Sequence, residues 1–169
     1  PTDSGVNNVY DINVIASDGN LTTTKAVAIA VTNVNEAPVI TSGVTASFVE
    51  NGTGTVYTVA ATDVDAGTTL AYSLSGTDSG LFNINSTTGA LTFKSSPNFE
   101  APTDSGANNV YDIIVNASDG SLTTTKAVAI TVTNANEAPL ITSSSTASFA
   151  ENGTGTVYTA AATDEDAAT

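Results

Sequence analysis

The sequence has no cysteine, no histidine and no arginine among its 169 residues, and its basic side chains are Lys25, Lys94 and Lys126. Without cysteine there is neither a disulfide nor a thiolate metal site. Without histidine, cysteine or arginine there is no conventional catalytic triad, thiol nucleophile or phosphate clamp. A carboxylate pair for glycoside hydrolysis remains chemically conceivable. A near-identical repeated unit is a poor place for a single active site, however, and no enzymatic activity is expected. Three bases against 17 acids leave a net charge of −14. That balance argues against nucleic-acid phosphates and anionic membranes as partners, since binding either needs basic side chains. No apolar run approaches the ~18 residues of a transmembrane helix, so no membrane insertion is expected. No signal peptide is recognisable, and a fragment would not include one.

What is present is acid, and residues that favour strands and turns. An acidic surface most often serves solubility. The sharper reading is binding of divalent cations by hard oxygen ligands. The two separate on whether the acids cluster. Threonine and valine favour strands, glycine, asparagine and aspartate favour turns, and no helical apolar period of useful length is visible. The chain is therefore predicted to be all-β. Aromatics make up 6% of it, so the core falls to Val, Ile, Leu and Ala, enough for a sandwich of modest stability.

Internal repetition dominates the sequence. PTDSGVNNVYDI at 1–12 returns as PTDSGANNVYDI at 102–113, and ASFVENGTGTVYT at 46–58 returns as ASFAENGTGTVYT at 147–159. One offset of 101 residues aligns 1–68 with 102–169 without a gap, and 13 of the 68 positions differ. Two differences compensate: Asn13 and Ile15 become Ile114 and Asn116. All four lie on one face of a strand, while Tyr10, Ile12 and Val14 (Tyr111, Ile113 and Val115) lie on the other. A tolerated swap marks the outer face and predicts that the Tyr-Ile-Val face is the core. The expected organisation is the last third of one repeat at 1–37, a complete repeat at 38–138 and the first third of the next at 139–169. The end pieces hold too little of their own domain to bury a core alone. Neighbouring repeats of one polymer, or identical chains in a filament, are the expected partners.

Within the complete repeat, strands are expected over 39–49, 55–62, 70–76, 81–85, 90–94, 109–119 and 122–133. STTG makes one hairpin, and a tight DGS turn joins the last two strands. Seven strands in about 100 residues fit a Greek-key sandwich of immunoglobulin-like size. The predicted fold class is tandem seven-stranded Greek-key β-sandwiches.

The acids fall at strand ends: Glu50 in ENGTG, Asp63 and Asp65 in TDVD, Glu100 in PNFE, Asp119 in ASDG and Glu137 in NANEAP. Acids gathered at the end of one sandwich meet those of the next, and unneutralised they push the two apart. Calcium takes six to eight oxygens from carboxylates, amides and backbone carbonyls, and suits such a place.

These segments carry a family resemblance. ENGTG resembles the Pro-Glu-Asn segment of a cadherin repeat, TDVD and TDED the D-x-D motif, and PNFE the L-D-R-E motif. ASDG resembles the late A-x-D-G segment, and NVNEAP and NANEAP the D-x-N-D-N-A-P linker. Order and spacing agree over essentially the whole chain, which is identified as a bacterial cadherin-like tandem repeat of large surface adhesins. The resemblance implies calcium between successive domains. At the first junction it implies Asn33, Asn35 and Glu36 from the linker, with Asp63, Asp65 and Asp119. At the second it implies Glu50, Glu100, Asn134, Asn136 and Glu137, with Asp164 and Asp166. Carbonyls of Val34, Ala37, Ala135 and Ala138 add possible ligands. Asn33, Asn134 and Asn98 stand where the family usually has an acid, and alanine replaces the last linker asparagine. Fewer charges predict weaker binding, roughly 10⁻⁴–10⁻³ M, or fewer ions per junction.

The expected function is a calcium-stiffened structural spacer or filament segment of an extracellular bacterial adhesin, in cell adhesion, biofilm or matrix. The alternative is a carbohydrate- or surface-binding sandwich acting through its loops or its Thr-rich faces. Sequons at Asn20, Asn51, Asn85, Asn116 and Asn152 are permissive for glycosylation in a eukaryotic secretory route, but arise easily by chance in a Thr-rich chain. The TTT runs at 22–24 and 123–125 are read as strand propensity on a polar outer face.

Overall fold

The computed structural model describes residues 2–168, in two units, Pro1–Glu36 and Ala37–Thr169. In the first, the alternation of VYDINVIAS and TTTKAVAIA produces β1 (Val9–Ser17) and β2 (Thr22–Ala30), an antiparallel hairpin with Tyr10 opposite Ile29. Its turn is shaped by Asp18, whose Oδ1 accepts the backbone N–H groups of Asn20 at 2.9 Å and Leu21 at 2.7 Å.

The second unit begins with β3 (Val39–Ile40), β4 (Thr45–Val49), β5 (Thr55–Thr58), β6 (Ala61–Thr62) and β7 (Ala71–Ser75). A short 3₁₀ turn (Ser79–Leu81) leads into β8 (Phe82–Ile84) and β9 (Ala90–Phe93). The long β10 (Val110–Ser118) and β11 (Thr123–Thr133) follow. After β11 the described residues form β12 (Leu140–Ile141), β13 (Ala162–Thr163) and a 3₁₀ turn (Glu165–Ala168).

One sheet has the order β4-β11-β10-β7, a second β5-β9-β8, and β3 pairs with β6. The two segments expected as single strands at 39–49 and 55–62 are each interrupted. The chain leaves β3, paired antiparallel with β6, and re-forms as β4, paired parallel with β11. Between β5 and β6, Val59 turns inward and its N–H donates to the Gly89 carbonyl at 2.9 Å. Gly89, at φ +70°, packs so closely on Val59 that a side chain there would meet the Val59 backbone. Lys126 fixes the switch between β3 and β4. Its ammonium donates to the carbonyls of Ile40 at 3.3 Å and Ser42 at 2.5 Å.

The core follows the predicted alternation. Tyr111, Ile113, Val115 and Ala117 of β10 and Val128, Ile130 and Val132 of β11 are buried together with Ile40, Val56, Val59, Phe82 and Leu91. Phe93 of one sheet and Tyr111 of the other meet edge-on, with ring centroids 5.1 Å apart. Such a pair is worth ~0.5–1.5 kcal/mol beyond the area it buries. Ile114, on the swapped face, stays 36% exposed. The same pattern has a different outcome in the first unit, where Ile12 and Val14 are 45% and 50% exposed, against 2% and 0% for Ile113 and Val115.

Candidate metal centre

The parallel pairing of β4 with β11 brings the ends of both strands to one place. The Glu50 N–H, just past β4, donates to the Thr133 carbonyl at 3.0 Å. The Glu50 side chain is only 2% exposed. Its Oε2 accepts from the Phe99 N–H at 2.6 Å and its Oε1 from the Ala135 N–H at 2.9 Å. A buried carboxylate must be held in this way, because desolvation without compensating bonds is expensive. Glu50 thereby ties the PNFE loop and the NANEAP linker to the end of β4.

Glu100 and Glu137 complete a group of three carboxylates, with one oxygen from each lying within 4.8 Å of the others. Glu100 Oε1 accepts from Asn134 Nδ2 at 2.9 Å, and Glu137 Oε1 from Asn51 Nδ2 at 2.7 Å. The second oxygen of each, Glu100 Oε2 and Glu137 Oε2, is buried without a hydrogen-bond partner. Burial pushes both carboxyls above the ordinary glutamate value. Glu50, Glu137 and Asp166 add repulsion at Glu100, and Glu50, Asp166 and Glu165 add it at Glu137. Two buried, unpaired carboxylate oxygens beside a third carboxylate fit a hard divalent cation, which would supply the missing partner and the missing charge.

Of the residues assigned to the second junction, Asp166 reaches this group, since its Oδ2 accepts the Glu137 N–H at 2.7 Å. Asp164 holds the loop, accepting the Asp166 N–H at 3.0 Å. Asn134 donates to Glu100, while Asn136 Nδ2 donates to the Glu137 carbonyl at 3.0 Å. Of those assigned to the first junction, Asn33, Asn35 and Glu36 belong to the first unit and Asp63, Asp65 and Asp119 to the second. Asp63 Oδ1 accepts the Asp65 N–H at 2.8 Å, and its Oδ2 is buried without a hydrogen-bond partner. Asp119 shapes the β10–β11 turn, its Oδ1 accepting from Ser121 and Leu122, both at 2.6 Å.

Two contributors escaped the sequence reading. Asn51, read there as a sequon and as part of the ENGTG segment but not as a site residue, sits at φ +57° and aims its amide at Glu137. An asparagine right after the strand-end glutamate of ENGTG was the available signal. Glu165, between the two aspartates of TDED, accepts from Asn98 Nδ2 at 3.3 Å. A single acidic substitution at the Val64 position gave no pattern to find it by.

The family model for the cadherin domain matches residues 44–133. No curated protein matches the chain. Among solved structures, extracellular cadherin domains 1-4 of protocadherin gamma B7 match at 25% identity and a TM-score of 0.62, over 98% of this chain and 42% of that one. Mouse cadherin-23 EC22-24 matches at 25% identity and a TM-score of 0.57, over 79% of this chain and 44% of that one. Drosophila N-cadherin EC1-3 matches at 25% identity and a TM-score of 0.51, over 76% of this chain and 44% of that one. The chain thus spans less than half the length of these solved cadherins.

The relatives correct one expectation. They are eukaryotic cadherins and protocadherins, not bacterial surface adhesins, so the bacterial-surface and biofilm assignments fall. Those assignments rested on the order and spacing of ENGTG, TDVD, PNFE, ASDG and the NEAP linkers, which identify a cadherin repeat but carry no residue that marks its source. The cadherin match supports a structural or adhesive extracellular role. No helix among the described residues is long and apolar enough to cross a membrane. The cadherin domain is a non-catalytic adhesion module and the chain is not an enzyme. With its domain model matched over more than half its length, the chain belongs to the cadherin family.

Proposed function

We propose that the chain is a stretch of tandem cadherin repeats whose junctions are stiffened by calcium, and that its role is to hold adhesive ends apart outside the cell. The repeats would run 1–37, 38–138 and 139–169. One observation carries this reading. Glu100 and Glu137 each keep a buried, unpaired oxygen beside Glu50, where the end of the 38–138 repeat meets the next. Glu50 is engaged by backbone N–H groups, but Glu100 Oε2 and Glu137 Oε2 serve no hydrogen bond, and the mutual repulsion of the three carboxylates opposes closure of the joint.

Calcium would contribute two positive charges and several coordination positions. Glu50 holds its place through two backbone bonds and keeps the PNFE loop and linker in register. Glu100 and Glu137 present the unpaired oxygens, and Asp166, with Asp164 behind it, brings in the following segment. By the equivalence at 101 residues, Asn33, Asn35, Glu36, Asp63 and Asp65 are the counterparts of Asn134, Asn136, Glu137, Asp164 and Asp166, and with Asp119 they would serve the first junction. Asp63, with its own unpaired oxygen, is the counterpart of Asp164. Partners are neighbouring repeats and, as in an adhesive family, further copies of the same chain.

The test is small-angle scattering and thermal unfolding of the whole chain with calcium and with chelator. Chelation is expected to broaden the distribution of end-to-end distances and lower the unfolding temperature. Identical scattering and unfolding in both conditions would refute the calcium joint.

A further inference from the structure

Asn-Gly occurs twice at the same point of the repeat, at 51–52 and 152–153. The fold requires both residues. Asn51 and Asn152 lie in the left-handed region, at φ +57° and +62°, which asparagine tolerates better than most side chains. A Cβ on Gly52 would lie 2.9 Å from the Val49 carbonyl oxygen and 3.0 Å from the Phe48 ring. One on Gly153 would meet the Ala150 carbonyl oxygen and the Phe149 ring at the same distances. Only glycine fits there, and glycine leaves the preceding side chain unshielded from the next backbone nitrogen. Both asparagines are exposed, so water reaches them.

The two turns share one bond, from Gly52 N–H to the Val49 carbonyl at 3.3 Å and from Gly153 N–H to the Ala150 carbonyl at 3.0 Å. Their other surroundings differ. The Asn51 N–H donates to the Pro97 carbonyl at 2.9 Å, and its Nδ2 donates to Glu137 Oε1 at 2.7 Å. Among the described residues, no hydrogen bond holds the Asn152 backbone N–H or side-chain amide.

We propose that Asn51 and Asn152 are sites of spontaneous deamidation, and that Glu137 makes Asn51 the slow one of the pair. The backbone nitrogen of the following glycine, having lost its proton to solvent, attacks the asparagine Cγ. The new C–N bond closes a succinimide ring, and the Cγ–Nδ2 bond breaks as Nδ2 leaves as ammonia. Water then opens the ring at either carbonyl, giving aspartate or isoaspartate. One water is consumed and one ammonia released, with no oxidant or reductant. Ring closure needs rotation about ψ away from the left-handed turn, so the reaction passes through local opening. Opening at Asn51 must also break the bonds to Glu137 and Pro97. Either product at 51 places a carboxylate against Glu137, beside Glu50, Glu100 and Asp166. Isoaspartate also adds a carbon to the backbone, which moves Gly52 from its place on Phe48. Deamidation is thus a slow, irreversible loosening of this strand end, and Glu137 delays it.

Peptide mapping of the whole chain, aged in mildly alkaline buffer with chelator, reads both sites. Trypsin, cleaving after Lys25, Lys94 and Lys126, puts Asn51 and Asn152 in separate peptides, and fragmentation localises the added mass. Asn51 is expected to react about tenfold more slowly than Asn152, the factor that one hydrogen bond to a charged group contributes to opening. Glu137→Ala should raise the Asn51 rate by about that factor. Glu137→Gln, which keeps an acceptor oxygen, should hold Asn51 slower than the alanine variant does. In urea the two rates should converge, because ENGTGTVYT surrounds both sites. Circular dichroism checks each variant's fold, and the comparison of the two sites in the natural chain stands without either variant. Equal rates in the folded natural chain overturn the protection by Glu137, as does an unmoved Asn51 rate in a folded Glu137→Ala chain. A difference that persists in urea also overturns it. Added mass at neither site in the folded chain, with added mass at both in urea, overturns the proposal as a whole.

Discussion

Tyr111 is fully buried, whereas Tyr10, its counterpart 101 residues earlier in a hairpin of the same register, is 36% exposed. The difference lies entirely in what covers the hairpin. Tyr111 is packed against Phe82 and Phe93 from the opposite sheet, while the described residues of the first unit form the β1–β2 hairpin and no opposite sheet. Tyr111→Ala should therefore cost ~3–5 kcal/mol, as for other large buried aromatics. Tyr10→Ala should stay within about 0.5 kcal/mol, as for surface positions. Urea unfolding of the two variants measures both, and comparable losses would mean that the β1–β2 face is covered.

Glu50 separates a structural role from a metal-binding one. Glu50→Gln keeps the shape but replaces one acceptor oxygen by an N–H₂ that must face the N–H of Phe99 or Ala135. A buried donor is then left unsatisfied, at a cost of about 1–3 kcal/mol even without metal. Denaturant unfolding in chelator should show that loss. An unchanged midpoint in chelator would mean that Glu50 matters only when an ion is present.

These contrasts show where the sequence was readable. Alternation in NVYDIIVNASD and the exchange of Asn13 and Ile15 with Ile114 and Asn116 identify the buried face, because period two and a tolerated swap are local signals. The interruption of 39–49 was not readable, since it depends on β4 finding a parallel partner more than 80 residues away in β11. The position of Glu50 at a strand end was legible, but its burial was not. The groups that compensate it are backbone N–H donors, which every residue but proline carries and which leave no trace in residue type. Asn51 was missed for a related reason, since its role depends on a left-handed backbone that the sequence only permits.

The charge at the joint sets a pH dependence. Glu100 and Glu137 are held above the ordinary value of 4.5 by burial first and neighbouring acids second. A carboxyl with a raised folded pKa binds more protons folded than unfolded between the two values, so stability falls as pH rises through that window. In chelator, the urea midpoint should decline as pH is raised from below 4.5 through the raised values. Glu100→Gln/Glu137→Gln should remove that decline. Asp18 has the opposite sign: the N–H groups of Leu21 and Asn20 hold it below 3.8, so its contribution is lost only as pH falls below that value. A midpoint that rises with pH across the glutamate window would contradict the assignment.

Asn51→Asp tests how amide and cation compete for Glu137. Aspartate tolerates the left-handed backbone that Asn51 adopts, so the turn should survive. The change removes the N–H donor to Glu137 and sets a carboxylate in its place, beside a group already crowded with negative charge. Without divalent ions the variant should unfold at a lower temperature than the natural chain, because the lost hydrogen bond and the added repulsion act in the same direction. With calcium present the order should reverse or close, since the new carboxylate faces an ion rather than an unscreened neighbour. Differential scanning calorimetry with and without calcium gives the two comparisons. A variant destabilised equally in both conditions would show that Asn51 serves the turn alone, and that Glu137 meets no cation.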